Sequence, residues 1–283
     1  MTTALTDITT LLMWQQDSTP PVILDCRARL GDREEGARLY RQGHLPGAHF
    51  ADLERDLSAP PAGARGGRHP LPSPADWQHR LQQWGITPDT RVVVYDDLGG
   101  QLAAARAWWM LLWAGHNNVY VLNGGFQVWQ AEGGAIEQGE PRVSAPSNWQ
   151  CDFQKQMIAD ADEVASGRAL LLDARPPERF SGESEAVDAN AGHIPGARNL
   201  PAASLLDEEN CLARSEALEK LVPATGQASI AYCGSGISAC MIILAHAALG
   251  RPLPRLYPGS WSEWSSDPSR AIATDTSAPD RHA

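Results

Sequence analysis

The residues best equipped for chemistry in this chain are a cysteine and the loop that follows it. The short run SIAY (229–232) passes directly into CGSGISAC (233–240), after which MIILAHAALG (241–250) has a helical pattern of apolar positions. A strand, a loop and a helix start in that order turn successive backbone N–H groups and the positive end of the helix dipole toward the Cys233 sulfur. Such surroundings favour the thiolate, the form in which a cysteine is a nucleophile. Gly234 and Gly236 permit close approach and positive φ, so the amides of this loop, Ile237 included, can wrap around an anion. Ser235 and Ser238 add hydroxyls that could donate to charge developing on sulfur or on an enolate, although small polar residues also suit a tight turn. A buried, inert strand-end cysteine is the plain alternative for Cys233.

The elements that must hold this loop occur twice. VILDCR (22–27) returns as LLLDAR (170–175), GHLPGA (43–48) as GHIPGA (192–197), RVVVYDD (91–97) as SIAYCGS (229–235), and NGGFQVW (123–129) as PGSWSEW (258–264). Matches in one order throughout define two homologous halves. Each half alternates short apolar strands with amphipathic helices, for instance VVVYD before AAARAWWMLLWAG, which predicts βαβ units and a mainly parallel sheet with helices on both faces. The expected fold class is therefore α/β, with a first domain over 1–135, a Gly-, Pro- and Ser-rich linker over 136–150, and a second domain over 151–283. Asp96 stands in the first half where Cys233 stands in the second, so one copy is equipped with a thiol and the other with a carboxylate. Asp25, Arg27, Asp173 and Arg175 recur in both halves and are expected to tie each sheet together. Trp108, Trp109, Trp261 and Trp264 are expected to pack in cores or between domains, and the chain from Asp267 onward to form a polar, poorly ordered tail.

The paired Asp-x-Arg strands, the paired GHxPGA motifs, the CGSGISAC loop and the closing GSWSEW together resemble the tandem rhodanese-domain sulfurtransferases, over roughly residues 20–266. The resemblance implies two rhodanese-like domains, the first non-catalytic and the second carrying the nucleophile, with the site near their interface. The start of the loop, CGSG, is similar to that of 3-mercaptopyruvate sulfurtransferases, whereas thiosulfate-specific members tend to carry a basic loop. By the same resemblance Arg179, in PERFSG, would hold a substrate carboxylate, and His44 and Asp32 would form a proton relay with Ser235. A second arginine is often found about nine residues after the first in such enzymes; Asp188 stands there. His193, the repeat partner of His44, is expected to be structural. Phosphatases with a related strand-loop-helix site need an arginine a few residues after the nucleophile, and Ala239 holds that position.

Composition narrows the partners. A net charge of −11 disfavours nucleic acid, whose binding requires clustered Lys and Arg. No apolar run approaches the ~18 residues of a membrane span, and the first residues lack a basic segment and cleavage site, so a cytoplasmic protein without membrane contact is expected. The cysteines, Cys26, Cys151, Cys211, Cys233 and Cys240, are scattered without a CxxC pair, which argues against a disulfide framework or zinc site. The expected reaction transfers sulfur from a small anionic donor, 3-mercaptopyruvate ahead of thiosulfate, through a Cys233 persulfide to thioredoxin, a low-molecular thiol or cyanide, with no metal or organic cofactor. A thiosulfate:cyanide sulfurtransferase, a non-catalytic persulfide carrier, and a redox sensor closing a Cys233–Cys240 disulfide are the alternatives.

Overall fold

A computed structural model describes residues 4–63, 65–140, 143–224 and 226–274. In the first half β1 (Leu5–Thr6), β2 (Val22–Asp25), β3 (His49–Phe50), β4 (Val92–Tyr95) and β5 (Val119–Leu122) form a parallel sheet in the order β1-β5-β4-β2-β3. Around it lie α1 (Ile8–Gln15), α2 (Glu35–Gln42), α3 (Pro74–Gln83), α4 (Ala104–Trp113) and α5 (Gly125–Ala131). The second half repeats the plan with β6 (Leu170–Asp173), β7 (Arg198–Asn199), β8 (Ser229–Tyr232) and β9 (Arg255–Leu256) in the order β7-β6-β8-β9, again parallel. Its helices are α6 (Ala161–Ala165), α7 (Pro177–Ser181), α8 (Ser215–Leu221), α9 (Ala239–Ala248) and α10 (Ser260–Trp264). Among the described residues no helix is long and apolar enough to cross a membrane.

Local signals account for the element ends. Ser73 accepts the Asp76 amide and precedes Pro74 at the first turn of α3, and Asp160 with Glu163 makes a reciprocal capping box on α6. In the central strands alternate side chains serve different cores: Val92 and Val94 face the large core shared with α4, while Val93 and Tyr95 join Ile8, Leu11 and Trp129 on the opposite face.

The repeated motifs bind one another. Arg27 pairs with Asp25 at 2.6 Å and donates to the Gly43 carbonyl at 2.5 Å; Arg175 pairs with Asp173 and donates to the Gly192 carbonyl, both at 2.7 Å. Two residues on, the Leu45 and Ile194 amides donate to the Tyr95 and Tyr232 hydroxyls. Each Asp-x-Arg strand is thus locked to its GHxPGA turn by a buried charge pair whose Nη2 also donates to a turn carbonyl.

The two halves join through the helices that follow their equivalent loops. α4 and α9 pack together, and both are apolar almost all round; Trp109 and Met110 share one continuous core with Met241, Ile242 and Leu244. The connecting segment lies extended against the first half, with the Ser147 amide on the Gln82 carbonyl and the Gln154 amide on the Trp113 carbonyl. The expected tail behaves differently from expectation as far as it is described. Ala273 pairs with the His193 backbone in both directions, and Arg270 bonds the Ala161 carbonyl and the Asp162 carboxylate while covering the Trp264 ring. The polar composition after Asp267 hides these backbone and cation–π contacts; residues 275–283 lie outside the described ones.

Candidate active site

Cys233 sits at the end of β8, 2% exposed, with its amide on Ser260 Oγ at 3.2 Å and its carbonyl accepting from the Trp261 amide at 2.9 Å. Ser260 has φ +54, a left-handed conformation uncommon outside glycine, and its repeat partner Gly125 has φ +56. The strain at Ser260 is offset by its hydroxyl, which accepts from Cys233 and donates to the Tyr257 carbonyl at 2.9 Å. Gly236 takes φ +76, and a Cβ on it would stand 2.5 Å from the Pro258 carbonyl oxygen, so glycine is required there.

The first half shows what such a loop does. Asp96, at the position of Cys233, is buried, and its carboxylate accepts from the amides of Leu98, Gly100, Ala103 and Ala104 at 2.8–3.2 Å. Four amides converge on one anion. In the second half the corresponding loop is tighter, with helix α9 beginning at Ala239, and the amides of residues 234–238 donate to no group among the described residues. Gly234, Gly236, Ile237 and Ser238 therefore bring uncommitted donors around the cysteine rather than around a built-in carboxylate. The Ser238 hydroxyl makes no hydrogen bond among the described residues and does not cap α9.

The groups that meet Ser235 are not those expected. His44 donates from Nδ1 to the Tyr40 carbonyl at 2.8 Å, stacks on the Tyr40 ring at 3.8 Å, and pairs its backbone with Glu137. His193 does the same with the Phe180 carbonyl, the Phe180 ring and Ala273. A histidine with one set of partners in both halves braces the GHxPGA turn. Asp32 is exposed and binds Arg38, which with the Glu34 amide holds its carboxyl below the usual range. The residue that meets Ser235 is His69, with Nδ1 2.8 Å from Ser235 Oγ and Nε2 3.1 Å from Glu54 Oε1. Burial, reinforced by Arg106, pushes His69 below its ordinary value, so the ring is neutral at pH 7. With Glu54 accepting from Nε2–H, Nδ1 is left as the base toward the serine hydroxyl.

Three arginines surround the loop although the loop itself carries none. Arg106, wholly buried on α4, donates to the carbonyls of Leu57, His69, Pro70 and Gly236, so a single cation fixes both the His69 segment and the cysteine loop. Burial pushes the guanidinium down while Cys240 and Cys233 pull it up, and an arginine stays charged in such a site. Arg179 binds Glu185 through Nε and Nη2 and Asp188 through Nη2, and Arg68 binds Asp188 through Nη1. The structure thus places Arg179 near the cysteine loop, its Nη1 3.5 Å from where a Cβ on Gly234 would be.

The other thiols are unsuited to nucleophilic work. Burial pushes Cys26 and Cys240 well up, Cys151 up to about 11, and Cys211 up with help from Asp207. Cys240 packs in the shared core with its sulfur near the Gly236 carbonyl, a poor setting for a resolving thiol.

Comparison with known proteins gives the family. The family model described as "Rhodanese-like domain" matches residues 9–132 and again 154–267. A Pseudomonas aeruginosa protein provisionally named 3-mercaptopyruvate sulfurtransferase is 45% identical over 271 residues, covering 89% of this chain and 92% of its own. A Mycobacterium tuberculosis protein, SseB, provisionally named thiosulfate sulfurtransferase, is 44% identical over 270 residues, covering 92% and 93%. Among solved structures, a 3-mercaptopyruvate sulfurtransferase from Leishmania major superposes with a TM-score of 0.83 at 33% identity, over 93% of this chain and 74% of that one.

Proposed function

The chain belongs to the rhodanese family and is a sulfurtransferase, and we propose that it carries sulfur as a persulfide on Cys233, with 3-mercaptopyruvate as its preferred donor. The observation that carries the donor assignment is the chain Ser235–His69–Glu54 beside the nucleophile. A thiolate at Cys233 attacks the donor's sulfur, the C–S bond breaks, and its electron pair leaves on the pyruvate enolate. The proton on the new Cys233–S–SH is the one the enolate needs. Ser235 stands between them, His69 Nδ1 holds the proton in transit, and Glu54 stabilises the imidazolium that forms. Loop amides 234–238 and buried Arg106 stabilise charge on sulfur. An acceptor thiolate or cyanide then attacks the outer sulfur and releases Cys233, a ping-pong cycle.

Thiosulfate is the second reading, supported by the close relative named for it and by the guanidiniums of Arg68 and Arg179 near the loop. Its sulfite leaves with its own charge and needs no proton, so the relay would be idle. The site's positive charge is moreover offset by Glu185 and Asp188, which leaves little net attraction for a dianion. The test is kcat/KM for both donors under one acceptor and one ionic strength, with intact mass of Cys233 after a single turnover. A gain of one sulfur from mercaptopyruvate, with the higher kcat/KM, is expected; thiosulfate equal or better would transfer the assignment to it. The physiological acceptor, thioredoxin or a small thiol, is proposed on the same chemistry.

A further inference from the structure

We propose that Asp56 is a positioning residue for the groups at Ser235: with Arg80 of α3 it fixes the turn that carries Glu54, and so sets where Glu54 meets His69. The proposal rests on the reading of Ser235, His69 and Glu54 as a proton path. Glu54 lies in the turn 52–57 just after β3, and its Oε1 is 3.1 Å from His69 Nε2. Its Oε2 has Arg33 at 3.8 Å, on a side chain that is 72% exposed, so the placing of Glu54 falls to the backbone of the turn. Two buried carboxylates hold that backbone. Asp52 accepts the Glu54 and Arg55 amides on Oδ1 at 2.8 and 3.1 Å, and its carbonyl accepts the Asp56 and Leu57 amides at 2.9 and 3.0 Å. Asp56 closes the turn: its Oδ2 accepts the Asp52 amide at 2.9 Å, and its Oδ1 takes Arg80 Nη2 at 2.8 Å. At the far end Arg106 donates to the Leu57 carbonyl and to the His69 carbonyl, and the Ala59 amide donates to the Pro70 carbonyl at 2.9 Å. Glu54 and His69 thus stand on one base, and Asp56 fixes the Glu54 side of it.

The second half shows that the fold does not require these acids. The Ala51 amide donates to the Asp25 carbonyl as the Leu200 amide donates to the Asp173 carbonyl, so Asp52, Glu54 and Asp56 correspond to Pro201, Ala203 and Leu205. There the chain forms a short 3-10 helix over Ala202–Leu205, and Leu205 is wholly buried in the core. The buried position is apolar in the half whose turn carries alanine and ionisable in the half whose turn carries Glu54. Burial pushes Asp56 up to about 6 against the pull of Arg80 and the Asp52 amide; the Asp52 carboxylate raises it further, Arg55 lowers it, and the Cys26 thiol at the end of β2 is the other ionisable neighbour. Because the folded value lies above the ordinary 3.8, the ionised Asp56 destabilises the fold, an effect absent below 3.8 and complete above about 6. A leucine would carry no such penalty, and a buried charge kept at a cost to stability beside reacting groups points to a role in their placement.

The experiment compares Asp56→Asn and Arg80→Gln with the wild type in the full chain, by kcat and KM for 3-mercaptopyruvate and thiosulfate. An asparagine accepts on one oxygen only, so either the Asp52 amide or Arg80 loses its acceptor. Asp56→Asn should lower kcat for 3-mercaptopyruvate about ten- to a hundredfold, the effect of a misplacement on the order of 1 Å, with KM changed far less. Turnover of thiosulfate, whose leaving group takes no proton, should stay within about threefold. Arg80→Gln should show the same selectivity in smaller degree, and because Arg80 is 37% exposed it keeps the test open if Asp56→Asn does not fold. An unchanged kcat in both variants, or a loss shared equally by both donors, overturns the proposal. A readout independent of turnover is the nitrogen NMR spectrum of labelled histidine, the His69 signals being identified by their loss in His69→Asn. Glu54 should hold His69 as the Nε2–H tautomer in the wild type, and Asp56→Asn should give a mixture of tautomers; the wild-type tautomer retained in full would also overturn the proposal. If Ser235→Ala loses 3-mercaptopyruvate selectively while Asp56→Asn loses nothing, the proton path stands and the role of Asp56 falls. If Ser235→Ala affects both donors alike, the proton path fails and the role of Asp56 falls with it.

Discussion

Replacing Ser235 by alanine should separate the two donors. Ser235 is 5% exposed, and its Oγ hydrogen-bonds the ring of His69 at 2.8 Å. Removing it breaks the path by which a proton reaches the enolate, and a positioned acid–base group is worth about a hundred- to ten-thousandfold in rate. Only one of the two reaction steps for mercaptopyruvate uses that proton, so we expect kcat/KM for this donor to fall about a hundred- to a thousandfold, or ~2.7–4 kcal/mol of transition-state stabilisation. For thiosulfate the fall should stay within about threefold, because the departing sulfite keeps its electron pair and no proton is moved. Stability should drop only about 1–2 kcal/mol, since His69 keeps Glu54 on its other nitrogen. The assay is steady-state kinetics with both donors against one acceptor, beside thermal melts to show that the fold persists. A parallel loss with both donors would refute the relay and would reduce Ser235 to a residue that shapes the loop.

Cys233→Ser should abolish sulfur transfer and persulfide formation by mass while melting like the wild type, whereas serine at Cys26, Cys151, Cys211 or Cys240 should leave the chemistry in place. Arg179→Ala should raise donor KM about ten- to a hundredfold and also cost roughly 1–3 kcal/mol, because it strips buried Glu185 of its main cation; a normal KM with only the stability loss would make Arg179 a structural residue. Arg106→Met should cost about 2–5 kcal/mol by leaving carbonyls of both halves without their donor and should split one calorimetric transition into two; a single unshifted transition would contradict its role as a tie. For pH, the folded His69 lies below its ordinary 6.5, so the unfolded chain binds more protons in that window and the stability from neutral His69 is complete above 6.5 and lost as pH falls below it. The difference in melting temperature between the wild type and His69→Asn should therefore shrink on acidification, and a constant difference would exclude the effect.

Why the sequence drew attention to Cys233 but not to the histidine that meets Ser235 is visible in the repeat itself. Cys233, the loop glycines and the Asp-x-Arg strands announce themselves because strand, turn and motif are local patterns, and because comparing the halves isolates Asp96 against Cys233. His44 was conspicuous for the same reason, yet recurrence in a half without a thiol is the mark of a structural brace. Glu54, Arg68, His69 and Arg106 have no motif around them, and His69 lies 166 residues from the serine it meets. The segment GARGGRHP (63–70) has no counterpart in the second half, and that asymmetry is the one signal in the sequence that could have drawn attention to His69. The family resemblance implied a relay and put it on His44 and Asp32; the histidine that meets Ser235 is His69, a contact that depends on how α4 and α9 press the two halves together. The loop's lack of cations was correctly read as local chemistry, but its field is set by arginines from α4, α7 and the 66–69 segment, none of them adjacent in sequence.

The buried guanidinium of Arg106 has a consequence for how such a chain can evolve. Its bonds reach the His69 segment of its own half and the Gly236 carbonyl of the other, and its own half has Asp96 where the other has Cys233. Duplication ordinarily leaves a spare copy free to drift or be discarded. Here the copy that carries a carboxylate in place of the thiol contributes the His69 and Glu54 that meet Ser235, the Arg68 that binds Asp188, and the Arg106 that braces the loop. Deleting that copy would strip Ser235, Asp188 and the Gly236 carbonyl of the partners they have across the boundary. The two halves have become one heritable unit.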